Sequence, residues 1–200
     1  MFLQVLRLVG EPLAAPSANL SGRPSPTSAA DVLATLNGRI DAVVDGGACR
    51  IGIESTVIDV SGELPTILRP GATRLHEIRA FLPDVVARAP GQAAHVADAA
   101  PGLRHRHYAP AGIALQLVDD VTPHWPSDEA LLVRASTAHR LGARRALLEV
   151  LPDDAAGYAH ALYAALYRLE RQAPARLVIE AVPTDDAWQA VNDRLARARG

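Results

Sequence analysis

The chain has 200 residues, 49% of them hydrophobic and 21% charged, with a formal net charge of −2. These values describe a globular chain of one large or two small domains rather than a disordered one, and they argue against a general electrostatic grip on nucleic acid. The single cysteine, Cys49, excludes an internal disulfide, and no secretory signal or long apolar span is visible, which makes the cytoplasm the simplest location.

In chain order, residues 2 to 9 read as a short helix with Val5, Leu6 and Val9 on an apolar face. Leu13-Ala14-Ala15 is a strand candidate that runs into a Pro/Gly-bent loop, Pro16-Ser-Ala-Asn-Leu-Ser-Gly-Arg-Pro-Ser-Pro-Thr27. Ser28-Ala29-Ala30-Asp31 has capping-box spacing, with Asp in place of Glu, and opens a helix that Asn37-Gly38 ends. Residues 42–47, 55–60 and 65–68 read as strands separated by glycine turns, and 75–82 as a short helix.

Residues 83–112 are rich in Ala, Pro, Gly and His, have no sustained apolar period and mark a linker. Beyond it, strands are expected at 113–118, 130–134, 146–150 and 176–182. A helix is expected at 155–171 with Tyr158, Leu162, Leu166 and Leu169 on one face, and a closing helix at 188–197. This alternation predicts a small α/β domain with a mainly parallel sheet. No Gly-x-Gly-x-x-Gly follows a strand, so an unrelated dinucleotide-binding enzyme is a poor reading.

The 14–27 loop gathers hydroxyl, amide and guanidinium groups ahead of a helix N-terminus, an arrangement suited to an anion such as phosphate. Ser17 and Asn19 donate without adding charge, and Ser21, Gly22 and Thr27 extend the donor surface. The plainer alternative is that Asn19 and Ser21 make local turns and Thr27 or Ser28 only caps the helix. In Gly52-Ile-Glu-Ser-Thr-Val-Ile-Asp59, strand alternation sets Glu54 and Thr56 on one face and Ser55 and Val57 on the other. A half-buried strand explains these residues equally well, and Glu54 receives no assigned role. Arg69, before Pro70-Gly71, is placed where the chain turns and offers a bidentate fork for phosphate. His105-Arg-His107 supplies too few ligands for a metal site. Tyr163 and Tyr167, four apart, read as packing.

The three fragments at 14–27, 52–59 and 67–71, in this order, resemble the second half of a YrdC-like domain, the catalytic unit of the L-threonylcarbamoyladenylate synthases. Residues 104–110, Arg-His-Arg-His-Tyr-Ala-Pro, resemble the interdomain linker of the long, two-domain form, and 113–200 its C-terminal domain. The resemblance implies a YrdC-like twisted-sheet part at 1–82, a linker at 83–112 and a small Rossmann-like α/β domain at 113–200. It implies a reaction that joins L-threonine, bicarbonate and ATP into threonylcarbamoyl-adenylate with release of pyrophosphate, Mg²⁺ sharing the charge. The product then supplies a tRNA adenosine through later transfer proteins, so neither direct tRNA binding nor a membrane is expected.

The same resemblance assigns Ser17 and Ser55 to L-threonine and Asn19, Thr27, Arg69 and Tyr108 to ATP, with Arg104 and Arg106 able to neutralise phosphate. It assigns no catalytic nucleophile and no metal ligand. The family's first half, with a Lys/Arg-rich segment that faces the phosphates, is not matched here, and all 20 basic residues of this chain are arginine. Exposed apolar patches and open strand edges are therefore expected. Two readings follow: a synthase chain, or a nucleotide- and amino-acid-binding module without catalysis.

Overall fold

A computed structural model describes residues 1–87, 107–122, 125–126, 128–141 and 147–199. The first part opens on helix α1 (Phe2–Val9), which ends at Gly10 with φ 73. The expected apolar face of α1 exists as a pattern, yet none of its residues is buried. Helix α2 (Ala29–Leu36) is capped by Ser28, whose hydroxyl accepts from the Asp31 N–H. The expected capping box is displaced by one residue. The Asp31 carboxylate accepts from the backbone and hydroxyl of Thr27, both at 3.1 Å, rather than from Ser28.

Strands β1 (Val57–Asp59) and β2 (Thr66–Arg69) are antiparallel, and β3 (Val86–Ala87) joins β2 in parallel beyond helix α3 (Leu75–Arg79). Ile67, Ile78 and Val85 form a small core there. The strands expected at 13–15 and 42–47 do not form. Local alternation favours an extended backbone, but a strand also needs a neighbour for its N–H and C=O groups, and these segments have none among the described residues. Exposed apolar side chains concentrate in this part, Leu8 at 88% and Phe81 at 87% among them.

The second part is better closed. Strands β4 (Ala114–Val118), β5 (Glu129–Arg134), β6 (Leu148–Leu151) and β7 (Arg176–Glu180) form one parallel sheet in the order β4-β7-β5-β6. Helix α4 (Ala135–Leu141) follows β5, α5 (Ala155–Arg171) follows β6, and a short 3₁₀ turn (Asp186–Trp188) leads into α6 (Gln189–Arg199). Period-two alternation splits β5 between two cores. Ala130 and Leu132 pack with α5 and α6, whereas Leu131 and Val133 pack on the opposite face with Ala138 and Leu141 of α4. Tyr158, Leu162, Leu166 and Leu169 are all buried on the sheet-facing stripe of α5. This is the small α/β domain expected from the sequence. Among the described residues no helix is long and apolar enough to cross a membrane.

Candidate functional site

The 14–27 loop is shaped from within. The Asn19 N–H donates to Ser17 O at 2.9 Å, and its side-chain amide donates to Leu20 O and Arg23 O. Asn19 thus braces the turn, as the plainer sequence reading allowed, while its Oδ1 is buried and accepts no hydrogen bond. Thr27 closes the loop and is itself buried, tied to Asp31 and accepting from the Cys49 N–H through its carbonyl.

The 50–56 segment lies beside this loop and is pressed onto α5. Gly52 has φ 89, and a Cβ there would stand 2.2 Å from His160 O, so only glycine permits the approach. His160 Nδ1 is hydrogen-bonded with Arg50 O at 2.9 Å. Two residues on, the Glu54 carboxylate is the convergence point of the site. Its Oε1 accepts from Ser25 Oγ at 2.6 Å, and its Oε2 accepts from Tyr163 OH at 2.9 Å and Arg194 Nε at 2.7 Å. Burial opposes the charge, but Arg194 and the hydrogen bonds outweigh it and hold the carboxyl below its ordinary value of 4.5. A carboxylate with three donors and a depressed pKa is an anchor, not a poised general base.

A carboxyl whose pKa falls on folding adds stability that is present above its unfolded value and is lost as pH falls through the folded one. The melting temperature should therefore drop as pH falls below about 4.5, and that drop should be shallower in Glu54→Gln. Superimposable acid profiles for the two proteins would contradict this.

Ser55 is exposed, and its carbonyl accepts from Arg69 Nε at 3.2 Å. Arg69 sits at the end of β2 with 7% exposure, so the guanidinium is buried rather than emergent. Gly71 explains the tightness of this corner: a Cβ would lie 2.3 Å from Thr56 N. Tyr108 is buried with φ 65, a strained value for a non-glycine residue. Its ring stacks on Tyr163 at 5.8 Å between centroids, and the Arg194 guanidinium lies 5.2 Å from its centre. Burial pushes its phenol up, Glu54 adds to that, and Arg194 and Arg69 oppose it. Burial also lowers the pKa of His107, against the pull of Glu54 and with the help of Arg197, Arg69 and Arg194.

An open cavity of 450 Å³ has Ser17, Ser25, Thr27, Cys49, Gly52 and Glu54 among its walls. Of the residues assigned to a ligand from the sequence, Ser17 and Thr27 face it, and Asn19 braces the loop beside it. Ser55, Arg69 and Tyr108 are not among its walls; Arg69 bonds the Ser55 carbonyl and lies beside the Tyr108 phenol, and the Tyr108 ring lies beneath Arg194. Arg104 and Arg106 lie outside the described residues. Sequence reasoning missed Ser25, Tyr163 and Arg194. Arg194 did leave a signal: it falls on the buried stripe of α6 with Val191, Leu195 and Ala198, and an arginine there needs a buried partner. Among the described residues no cluster of three or more His, Cys, Asp or Glu is arranged to hold a metal ion.

The fold and the site define a two-part α/β protein in which a parallel-sheet domain packs against the segments that form an open, ligand-sized loop cavity. Residues 1–71 match the Sua5–YciO–YrdC family model, described as telomere recombination, and residues 73–200 match that of the threonylcarbamoyl-AMP synthase C-terminal domain. The chain belongs to the threonylcarbamoyl-AMP synthase family in its two-domain form. It is 32% identical over 214 residues to threonylcarbamoyl-AMP synthase of Bacillus subtilis, covering 99% of this chain and 60% of that protein. It is 46% identical over 110 residues to the Pyrococcus abyssi synthase, covering 54% of this chain and 32% of the relative. The structure of P. abyssi Sua5 complexed with L-threonine superposes with a TM-score of 0.83 at 31% identity, covering 98% of this chain and 60% of that one. The chain therefore spans 60% or less of the length of these relatives.

Proposed function

We propose that the chain acts as a threonylcarbamoyl-AMP synthase, forming threonylcarbamoyl-AMP and pyrophosphate from L-threonine, bicarbonate and ATP in the cytoplasm. The observation that carries this reading is the likeness of 98% of this chain to part of a Sua5 structure complexed with L-threonine. Ser17 and Ser55 would hold L-threonine, and Asn19, Thr27, Arg69 and Tyr108 would hold ATP. Support comes from the cavity that Ser17 and Thr27 share. The proposed division is 1–82, 83–112 and 113–200.

In the reaction, the L-threonine amine condenses with bicarbonate to a carbamate with loss of water, and a carbamate oxygen then attacks the α-phosphorus as pyrophosphate leaves. The protein's work is positioning and charge stabilisation, with no covalent nucleophile. Mg²⁺ would arrive with the ATP phosphates, the way this small, hard cation is ordinarily held at nucleotide sites. The product would pass to proteins that transfer the threonylcarbamoyl group to a tRNA adenosine, so the chain itself needs no basic tRNA-binding surface.

The test is pyrophosphate release from ATP by the folded chain, with L-threonine or bicarbonate omitted in turn. Release that requires both supports the synthase. No release from a chain that still binds L-threonine and ATP supports the second reading, a binding module. Because a charge-assisted hydrogen bond contributes about 1.5–3 kcal/mol, Arg69→Ala should weaken ATP binding roughly ten- to a hundredfold. Unchanged ATP affinity in a folded Arg69→Ala protein would remove Arg69 from the nucleotide site.

A further inference from the structure

The loop beside the cavity is tied at consecutive residues to the C-terminal part. Gly22 O accepts from the Ala109 N–H at 3.1 Å, Arg23 pairs with Glu170, and Pro24 O accepts from Tyr167 OH at 2.8 Å. Ser25 Oγ donates to Glu54, which Tyr163 and Arg194 hold from the other side. Tyr163, Tyr167 and Glu170 stand at i, i+4 and i+7 of α5, one stripe of a single helix. Both tyrosines are buried, so their hydroxyls are fixed in direction. Glu170 also accepts from the Ala111 N–H, which ties the returning chain to the same stripe.

We propose that this α5 stripe, with Arg194 of α6, is a positioning device for the substrate cavity: it splints residues 22–25 so that Ser17, proposed for L-threonine, and Thr27, proposed for ATP, keep a fixed spacing. The inference rests on the proposal that L-threonine binds there. Tyr163, Tyr167 and Glu170 are not among the cavity walls, so they act through the loop and are not catalytic residues. The physical reason is entropic. A segment of Gly, Pro and Ser left free would have to be ordered by the ligand, which weakens binding, whereas a splinted segment is ordered on folding.

The test uses Tyr163→Phe, Tyr167→Phe and the double variant of the full chain, each of which deletes only hydroxyls and keeps the rings. L-threonine binding is measured by titration calorimetry, thermal melting checks the fold, and hydrogen exchange follows the amides of residues 17–27. Each single variant is expected to raise the L-threonine Kd roughly five- to twentyfold, with faster exchange confined to the loop. A purely structural role would lower the melting temperature and leave the Kd of the folded protein unchanged. If the unaltered chain binds L-threonine and the variants bind it equally well, the positioning role is overturned while the threonine reading stands. If the unaltered chain does not bind L-threonine, both fall.

Discussion

Arg194→Met should cost the folded chain about 3–5 kcal/mol, because it breaks a buried ion pair from one side only. The Arg194 side chain is 0% exposed, and its Nε and Nη1 each donate at 2.7 Å, to Glu54 and Asp193 respectively. Methionine fills much of the same volume, so the loss is chiefly electrostatic rather than a cavity. Glu54 would then be a buried carboxylate that has lost its charged partner and keeps neutral donors, Ser25 and Tyr163 among them, and its pKa would rise. Urea unfolding checks the magnitude. Adding Glu54→Gln to Arg194→Met should cost less than the two single losses summed, because the second change removes the stranded charge. A single-variant loss below about 1 kcal/mol, the range of exposed pairs, would contradict the account.

Gly52→Ala should be comparably severe and should act on how the two parts meet. The new methyl would stand 2.2 Å from His160 O and 2.6 Å from His160 Cα, which are backbone atoms of α5 with no rotamer to yield. Alanine at φ 89 also carries the left-handed penalty, about 1–2 kcal/mol, on top of about 1–3 kcal/mol for overpacking. The relief is for the 50–54 segment to lift from α5, which pulls Glu54 away from Tyr163 and Arg194. The expected result is a two- to fivefold weaker L-threonine affinity or worse, together with a lower urea midpoint. Gly38→Ala serves as the comparison, since that glycine also has positive φ but meets nothing within 4 Å. Equal effects at the two positions would show that φ strain, and not docking on α5, governs Gly52.

The second part of the chain was legible because its signals are local and redundant. Helix α5 follows the expected 155–171 bounds because its apolar stripe has a clean 3.6 period and Asp154 caps it with a hydrogen bond to the Gly157 N–H. The central strands β5 and β7 announce themselves as short apolar runs buried on both faces. Helix α4 escaped notice because Ala-Ser-Thr-Ala-His-Arg-Leu has too few apolar residues to mark a stripe. The failed strands at 13–15 and 42–47 show the converse, since local alternation cannot supply the neighbour that a strand requires.

The site divides in the same way. Ser17 and Thr27 were placed together by a contiguous motif, and they do share a cavity. Glu54 could not be given its role from the sequence, because its partners Tyr163 and Arg194 lie 109 and 140 residues downstream. Tyr163 reads as packing and does pack, but a buried tyrosine also needs a partner for its hydroxyl, and that requirement points across to Glu54. Ser55, Arg69 and Tyr108 cluster beside the cavity instead of facing it, a distinction that motif spacing does not carry.

The central claim is that the Ser17–Glu54 cavity receives L-threonine, and calorimetric titration of the chain and its Ser17→Ala variant with L-threonine tests it most directly. The account predicts saturable binding at a single site, weakened about five- to tenfold by the loss of one hydroxyl, with the melting temperature unchanged. Absence of binding, or equal affinity in the two proteins, would contradict it.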